Sequence, residues 1–152
     1  MNDYTQPIVY DKTKYHLETT EEYGLPESHA SHLTLYFLRW LIENDMMSEE
    51  FKSETQPLNE YRSGNRTILS LYEWWDCCLI DDMLSDEGNA FAQHFFDFEK
   101  GQYIHDYIGL LQGNLPSEFH IDFTDENYAQ LTAIIEKRYR QWKKPKKKWW
   151  QF

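Results

Sequence analysis

The sequence predicts a mainly α-helical, single-domain bundle of about five or six helices. The chain has 152 residues, close to the commonest size of one domain. Apolar residues make up 41% and aromatic residues 17% of it, which is enough for one packed core. Apolar side chains also recur at helical spacing along most of the chain. We therefore expect one globular domain over residues 1–142, followed by a basic, Trp-containing tail over residues 143–152.

Residues 1–25 are predicted to form an arm that packs on the domain, partly extended around the β-favouring residues 8–10. A helix is predicted from Pro26 to Met47, because apolar side chains repeat there at intervals of about 3.6 residues. Ser48 is expected to cap the next helix, and Pro57 is expected to end or redirect it.

The middle of the chain is predicted to hold three helices after a turn at 63–65. Ser70 and Glu73 have capping-box spacing, which predicts a central buried helix ending near Leu84. Ser85 or Asp86 is expected to cap a helix that Gly101 ends, and another is predicted over 103–111.

The last predicted elements are a loop over 113–118 and a long helix that Thr124 or Asp125 caps and Pro145 ends. Alternating apolar and polar residues over 119–123 allow a short strand without a certain partner, so a short strand or hairpin is left open near 8–10 and 119–123.

Charge is distributed unevenly along the chain. Residues 1–136 contain all 26 Asp and Glu residues and seven Lys and Arg residues, a net charge of −19, whereas residues 137–152 carry eight bases and no acid. Eight carboxylates fall between residues 76 and 106, against the single base Lys100. An acidic body repels nucleic acids and anionic lipids and accelerates encounters with basic proteins. We therefore expect a basic protein partner, with no membrane and no direct nucleic-acid partner.

Histidines supply the main candidates for chemistry. His29 and His32 lie one helical turn apart, while His94 and His105 each have a nearby aspartate. A metal needs three or four converging ligands, and the spacing of a metalloprotease motif is absent. No nucleophile elbow or phosphate-binding glycine loop occurs either. We expect no enzyme and no cofactor; the alternative is a small metal-dependent hydrolase using His29/His32 or His94/His105.

The adjacent Cys77 and Cys78 are interpreted as small apolar residues on a buried helix. The tail allows a further alternative, because a run of lysines is followed directly by Trp149 and Trp150. Such a tail can bind a nucleic-acid backbone and stack on bases, as a regulator would, or it can fold back onto the acidic body. No transmembrane run or secretory signal pattern is seen, so a cytoplasmic location is expected.

Four segments carry a resemblance to a known family: YDKTKYH at 10–16, GLPESHASHLTLYFLRWLIEN at 24–44, SEEF at 48–51 and DDMLSDEGNAFAQHFFDFEKGQYIHDY at 81–107. In these segments the chain resembles a family of small bacterial proteins that includes immunity proteins of polymorphic toxin systems, such as contact-dependent growth inhibition. The resemblance implies an antitoxin that binds a cognate toxin and carries no catalytic motif.

The resemblance and the charge distribution agree on the kind of partner. Nuclease toxins are basic because they bind phosphates, so an acidic protein can occupy their active or substrate-binding surface. Exposed carboxylates would accelerate capture and a few aromatic residues would slow release. The candidate contact residues are Asp76, Asp81, Asp82, Asp86, Glu87, Asp97 and Glu99, with Tyr103 and Tyr107 as anchors.

Overall fold

The helix His32–Glu43 is the element around which the others pack. A computed structural model describes residues 6–145 and buries ten of the twelve side chains of this helix. A helix that is apolar on nearly every face must be covered on all sides. The helix predicted from Pro26 to Met47 is thus confirmed in its centre, although a 3₁₀ helix at Glu27–Ala30 precedes it and Asn44 ends it.

Eight α-helices form within residues 6–145, where five or six were predicted. Their bounds are α1 Leu17–Glu22, α2 His32–Glu43, α3 Glu49–Ser53, α4 Thr55–Arg62, α5 Ile68–Trp74, α6 Asp86–Phe95, α7 Tyr103–Leu111 and α8 Asp125–Lys143. The two additional helices are α1, inside the predicted arm, and α4. Pro57 does not end a helix but lies in the first turn of α4, where its missing N–H has no intrahelical partner to lose.

Three of the predicted N-caps are confirmed. The side-chain oxygens of Ser48, Ser85 and Thr124 each accept a backbone N–H three residues later at 3.0 Å, at the starts of α3, α6 and α8. The capping box at Ser70 is wrong. Thr67 caps α5, and it does so by accepting the N–H of Ser70 at 3.1 Å.

A small antiparallel sheet replaces part of a predicted helix. Strand β1, Val9–Lys12, pairs with strand β2, Cys78–Ile80, so the extended segment near 8–10 is confirmed. The central helix predicted to reach Leu84 is wrong beyond Trp74, because Asp76 and Cys77 adopt φ values of 60° and 52° and turn the chain into β2.

Residues 119–123 do not pair with β1. They begin within a 3₁₀ helix at Glu118–His120 and continue without strand pairing, so the hairpin prediction is wrong. The fold is therefore mainly helical with one two-stranded antiparallel sheet.

One hydrophobic core connects these elements, with buried side chains from Leu33 to Ile135. Phe37 of α2 stacks on Phe96 with ring centroids 4.7 Å apart. The helix predicted to continue to Gly101 ends at Phe95, while α7 matches its predicted range. None of the helices in 6–145 is long and apolar enough to cross a membrane. The tail residues 146–152, with Trp149 and Trp150, lie outside the described range.

Candidate functional site

Two acidic segments that lie far apart in the sequence run side by side in the structure. The N–H of Ser48 donates to the carbonyl of Met83 at 2.9 Å, and the N–H of Ser85 donates to the carbonyl of Met46 at 2.8 Å. The hydroxyl of Ser48 adds a bond to the carbonyl of Asp82 at 2.7 Å. Residues 45–50 are thereby fixed against residues 82–86.

This junction creates a surface that we call the acidic face: the exposed carboxylates Asp45, Glu49, Glu50, Asp82 and Asp86. Lys52 pairs with two of them, at 3.3 Å from Asp45 and 3.2 Å from Glu49, and offsets one charge. Sequence reasoning identified only the carboxylates at 82 and 86. Glu49 and Glu50 begin α3, whose cap was predicted, and Asp45 lies between α2 and that cap; the proximity of all three to 82–86 arises from tertiary contacts.

A groove next to β1 contains exposed apolar side chains. Ile8 is 40%, Val9 37% and Tyr15 57% exposed. With Asp97 and Glu99, these side chains line an open groove of about 430 Å³, which we call the β1 groove.

The β1 groove adjoins the start of the acidic face. The carbonyl of Ile8 accepts the N–H of Asp81 at 3.0 Å, and Asp82 follows directly in the chain. The carboxylate of Asp97 accepts the backbone N–H of Glu99 at 2.8 Å, which fixes the turn that carries both carboxylates beside the groove. Exposed apolar side chains therefore lie beside Asp97 and Glu99 and close in the chain fold to the start of the acidic face.

A buried carboxylate holds the wall of the groove in place. Asp11 in β1 is 1% exposed, and it accepts hydrogen bonds from His16 Nε2 at 2.7 Å and from the hydroxyl of Thr34 at 2.5 Å. The hydroxyl of Tyr10 donates to Asn89 Oδ1 at 2.6 Å, which joins β1 to α6. Burying a carboxylate without hydrogen-bond partners is unfavourable in free energy, so Asp11 must keep these bonds. They are made in one position of β1, which is therefore favoured. Sequence reasoning did not identify Asp11.

Tyr103 and Tyr107 are not available as anchors for a partner. Both are 0% exposed and lie in the core, where the hydroxyl of Tyr103 donates to the carbonyl of Leu33 at 2.6 Å. Burial raises the pKa of both phenols well above the ordinary value. The exposed aromatic side chain beside the carboxylates is instead Tyr15, which sequence reasoning passed over because it lies in the predicted arm.

Comparison with protein families places the chain in one of them. The family model described as domain of unknown function DUF7832 matches residues 9–121. The chain belongs to the DUF7832 family. The match covers β1, the acidic face and most of the β1 groove, and it ends before α8. No curated protein matches the chain, and no solved structure matches it.

Three predicted carboxylates of this DUF7832 protein remain: Asp81 is half-buried at the start of a 3₁₀ helix, and Glu87 and Asp76 have different surroundings. Glu87 accepts hydrogen bonds from the hydroxyl of Tyr139 and, at 3.0 Å, from Lys143. The bond from Tyr139 contributes most to lowering the pKa of Glu87, and the bond from Lys143 adds to it. Both bonds join α6 to α8. Asp76 is exposed at the left-handed turn before β2 and lines a separate cavity with Lys12 and Lys14. These two residues are therefore not part of the surface formed by the groove and the acidic face.

His29 and His32 connect the 3₁₀ helix and α2 of the DUF7832 protein to residues 119–121. Nδ1 of His29 donates to the carbonyl of Phe119 at 2.7 Å, and Nδ1 of His32 donates to that of Ile121 at 2.9 Å. Burial, aided by the neighbouring His29, lowers the pKa of His32. Within 6–145, no three His, Cys, Asp or Glu side chains converge as metal ligands. His29 and His32 thus have structural contacts that account for their positions.

The other candidate side chains lie apart from one another. His94 is exposed and stacks on Trp142, with ring centroids 6.2 Å apart, while His105 is exposed on α7. Cys77 and Cys78 are half-buried free thiols at the start of β2, so their placement on a buried helix is wrong. Burial raises the pKa of both thiols, which disfavours the reactive thiolate.

Proposed function

We propose that this protein is an immunity protein, which binds a cognate bacterial toxin domain and neutralises it by covering its active or substrate-binding surface. The toxin in this proposal is a basic nuclease, and inhibition takes place in the cytoplasm without turnover or a cofactor. The observation that carries the proposal is the set of exposed apolar side chains in the β1 groove, which Asp97 and Glu99 also line and which the bond between Ile8 and Asp81 joins to the acidic face.

This arrangement has the anatomy of a protein-binding surface. Specific interfaces have an apolar, often aromatic centre and a polar rim. Ile8, Val9 and Tyr15 supply the centre, and the acidic face with Asp97 and Glu99 supplies the rim. Aromatic residues at the centre of an interface commonly carry much of its binding energy.

The charge of the rim selects the partner. A set of carboxylates that is mostly free of neighbouring bases attracts a basic surface and raises the association rate. Nucleases bind phosphates through basic surfaces of this kind. Two segments on which the resemblance to immunity proteins rests, 10–16 and 81–107, contain Tyr15, Asp97, Glu99 and part of the acidic face.

The proposal is tested by co-expressing this chain with the toxin domain encoded immediately upstream of it. We expect restored growth and co-purification of the two proteins. The double variant Asp97→Lys/Glu99→Lys should weaken binding and lose protection, with most of the change in the association rate. Tyr15→Ala should raise the dissociation rate, with a loss of about 2 kcal/mol in binding.

A matched control keeps the change in charge but moves it elsewhere. Glu54 and Glu126 are both exposed and lie outside the groove and the acidic face, so Glu54→Lys/Glu126→Lys should protect as well as the parent chain. Continued growth arrest with the parent chain, together with no co-purification, would overturn the proposal. Equal loss of protection in both double variants would show that the β1 groove is not the toxin-binding surface.

A further inference from the structure

A second cavity lies away from the proposed toxin-binding surface. It has a volume of about 790 Å³, and side chains from α2, the turn between α4 and α5, and the start of α8 line it. This volume lies within the range of small-molecule sites, roughly 300 to 1,000 Å³. It shares no lining residue with the β1 groove.

The lining of this cavity is unusual for such an acidic protein. Residues 1–136 contain three arginines, and all three, Arg39, Arg62 and Arg66, line this one cavity. Arginine is the side chain best suited to bind phosphate or carboxylate, because its planar fork offers paired donors. Their convergence points to an anionic ligand.

Two of these arginines are held in fixed orientations. Arg39 donates to Glu43 at 3.1 Å and to Asp125 at 2.9 Å, and its guanidinium lies 3.8 Å from the ring centre of Tyr128. The two carboxylates that line the cavity are therefore both bound to Arg39. Arg66 donates to the hydroxyl of Ser70 at 2.9 Å and to Glu60 at 3.2 Å.

Arg62 differs from the other two. It is exposed, and no ion pair joins it to any residue in 6–145. Arg62 and Arg66 flank the turn 63–65, in which Gly64 has a φ of 85° and also lines the cavity. Arg66 offers donors at a small entropic cost because it is already held in place, and Arg62 offers donors that no carboxylate of 6–145 occupies.

The same cavity has an apolar wall formed by Ile42, Tyr61, Ile68 and Phe123. We propose that the cavity binds a small organic phosphate that carries a planar ring, the chemistry of a mononucleotide. Arg62 and Arg66 hold the phosphate, and the ring packs against Tyr61 and Phe123. The site is separate from toxin binding and would exist whether or not the proposed function is correct.

The experiment titrates the full chain with AMP, adenosine and inorganic phosphate, using calorimetry and backbone amide NMR. We expect saturable AMP binding with shifts in residues 61–68, and weaker binding of adenosine and of phosphate alone. Phosphate binding as tight as that of AMP would overturn the assignment of the ring to the apolar wall. Absence of saturable AMP binding would overturn the site.

Variants separate this cavity from the basic end of the chain. Arg62→Ala should weaken AMP binding by about tenfold or more, the loss expected for a hydrogen bond to a charged group, and the exposed position of Arg62 leaves the fold intact. Arg66→Lys keeps the charge, loses the fork and should also weaken binding. Arg140→Ala, at an exposed position on α8, is the matched control and should bind as the parent does. Shifts confined to residues 137–144, or equal losses in Arg62→Ala and Arg140→Ala, would refute the proposal.

Discussion

The junction that builds the acidic face depends on a glycine, which makes Gly88→Ala an informative change. Gly88 lies in the first turn of α6, and a Cβ added there would be 2.4 Å from the carbonyl oxygen of Met46. That oxygen also accepts the N–H of Ser85 at 2.8 Å, so moving it away stretches the bond that joins the two acidic segments.

The magnitude follows from two opposing effects. Overpacking against backbone costs about 1–3 kcal/mol, while replacing a helical glycine by alanine returns about 1 kcal/mol. Because 2.4 Å from a backbone oxygen is a severe clash, the cost falls in the upper part of that range, about 2–3 kcal/mol, and we expect Gly88→Ala to lower the free energy of unfolding by about 1–2 kcal/mol in net terms. Gly109→Ala in α7 is the matched control, because a Cβ there meets nothing within 4 Å. It should raise the free energy of unfolding by about 1 kcal/mol.

Urea unfolding at pH 7, followed by tryptophan fluorescence, measures both changes. The two alanine variants should differ by about 2–3 kcal/mol, with the midpoint of Gly88→Ala lower than that of the parent. If Gly88→Ala proved as stable as Gly109→Ala, the close approach of α6 to Met46, and with it the described geometry of the acidic face, would be refuted.

Three further predictions concern buried polar groups. Tyr103→Phe leaves a buried carbonyl without its donor and should lower the free energy of unfolding by about 1–2 kcal/mol. Tyr107→Phe removes a hydroxyl with no partner in 6–145 and should leave the free energy of unfolding unchanged in the same urea titration. Both variants should still inhibit the toxin. The pKa of His32 lies below its ordinary value, so the unfolded chain takes up the proton first and stability should fall as pH drops below about 6.5. His32→Asn should flatten that dependence between pH 7 and 5, and an unchanged slope would contradict it. Asp11→Ala removes the acceptor of the bonds from His16 and Thr34 and should lower the free energy of unfolding by about 2–4 kcal/mol. Backbone hydrogen exchange over residues 9–22 should become faster. Exchange equal to that of the parent would show that Asp11 does not hold the arm.

Local sequence signals predicted those elements in which helical spacing and a cap coincide. The helix α2, the caps Ser48, Ser85 and Thr124, and the range of α7 follow from such signals. The error between residues 75 and 84 has a different origin. Leu79 and Met83 fit helical spacing, but Asp76 and Cys77 take left-handed backbone conformations so that β2 can pair with β1. Pairing partners that lie about seventy residues apart leave no local signal.

The candidate site shows the same division. Asp82, Asp86, Asp97 and Glu99 could be identified from the density of carboxylates between 76 and 106, and all but the half-buried Asp97 are exposed. The aromatic anchors could not be identified in this way. The spacing of apolar residues predicts on which face of a helix a tyrosine lies, but the packing of the neighbouring helices decides whether that face is covered.

By itself, the sequence determined the helical class, the long buried helix and the acidic body. These properties depend on composition and on contacts within a few residues, which a linear pattern records. Tertiary structure alone decided that residues 45–50 join 82–86, that Ile8 and Tyr15 lie exposed beside Asp97, and that three arginines converge on one cavity. The physical reason is that burial and proximity between distant segments are properties of the packed core, which forms only when all of its elements are in place.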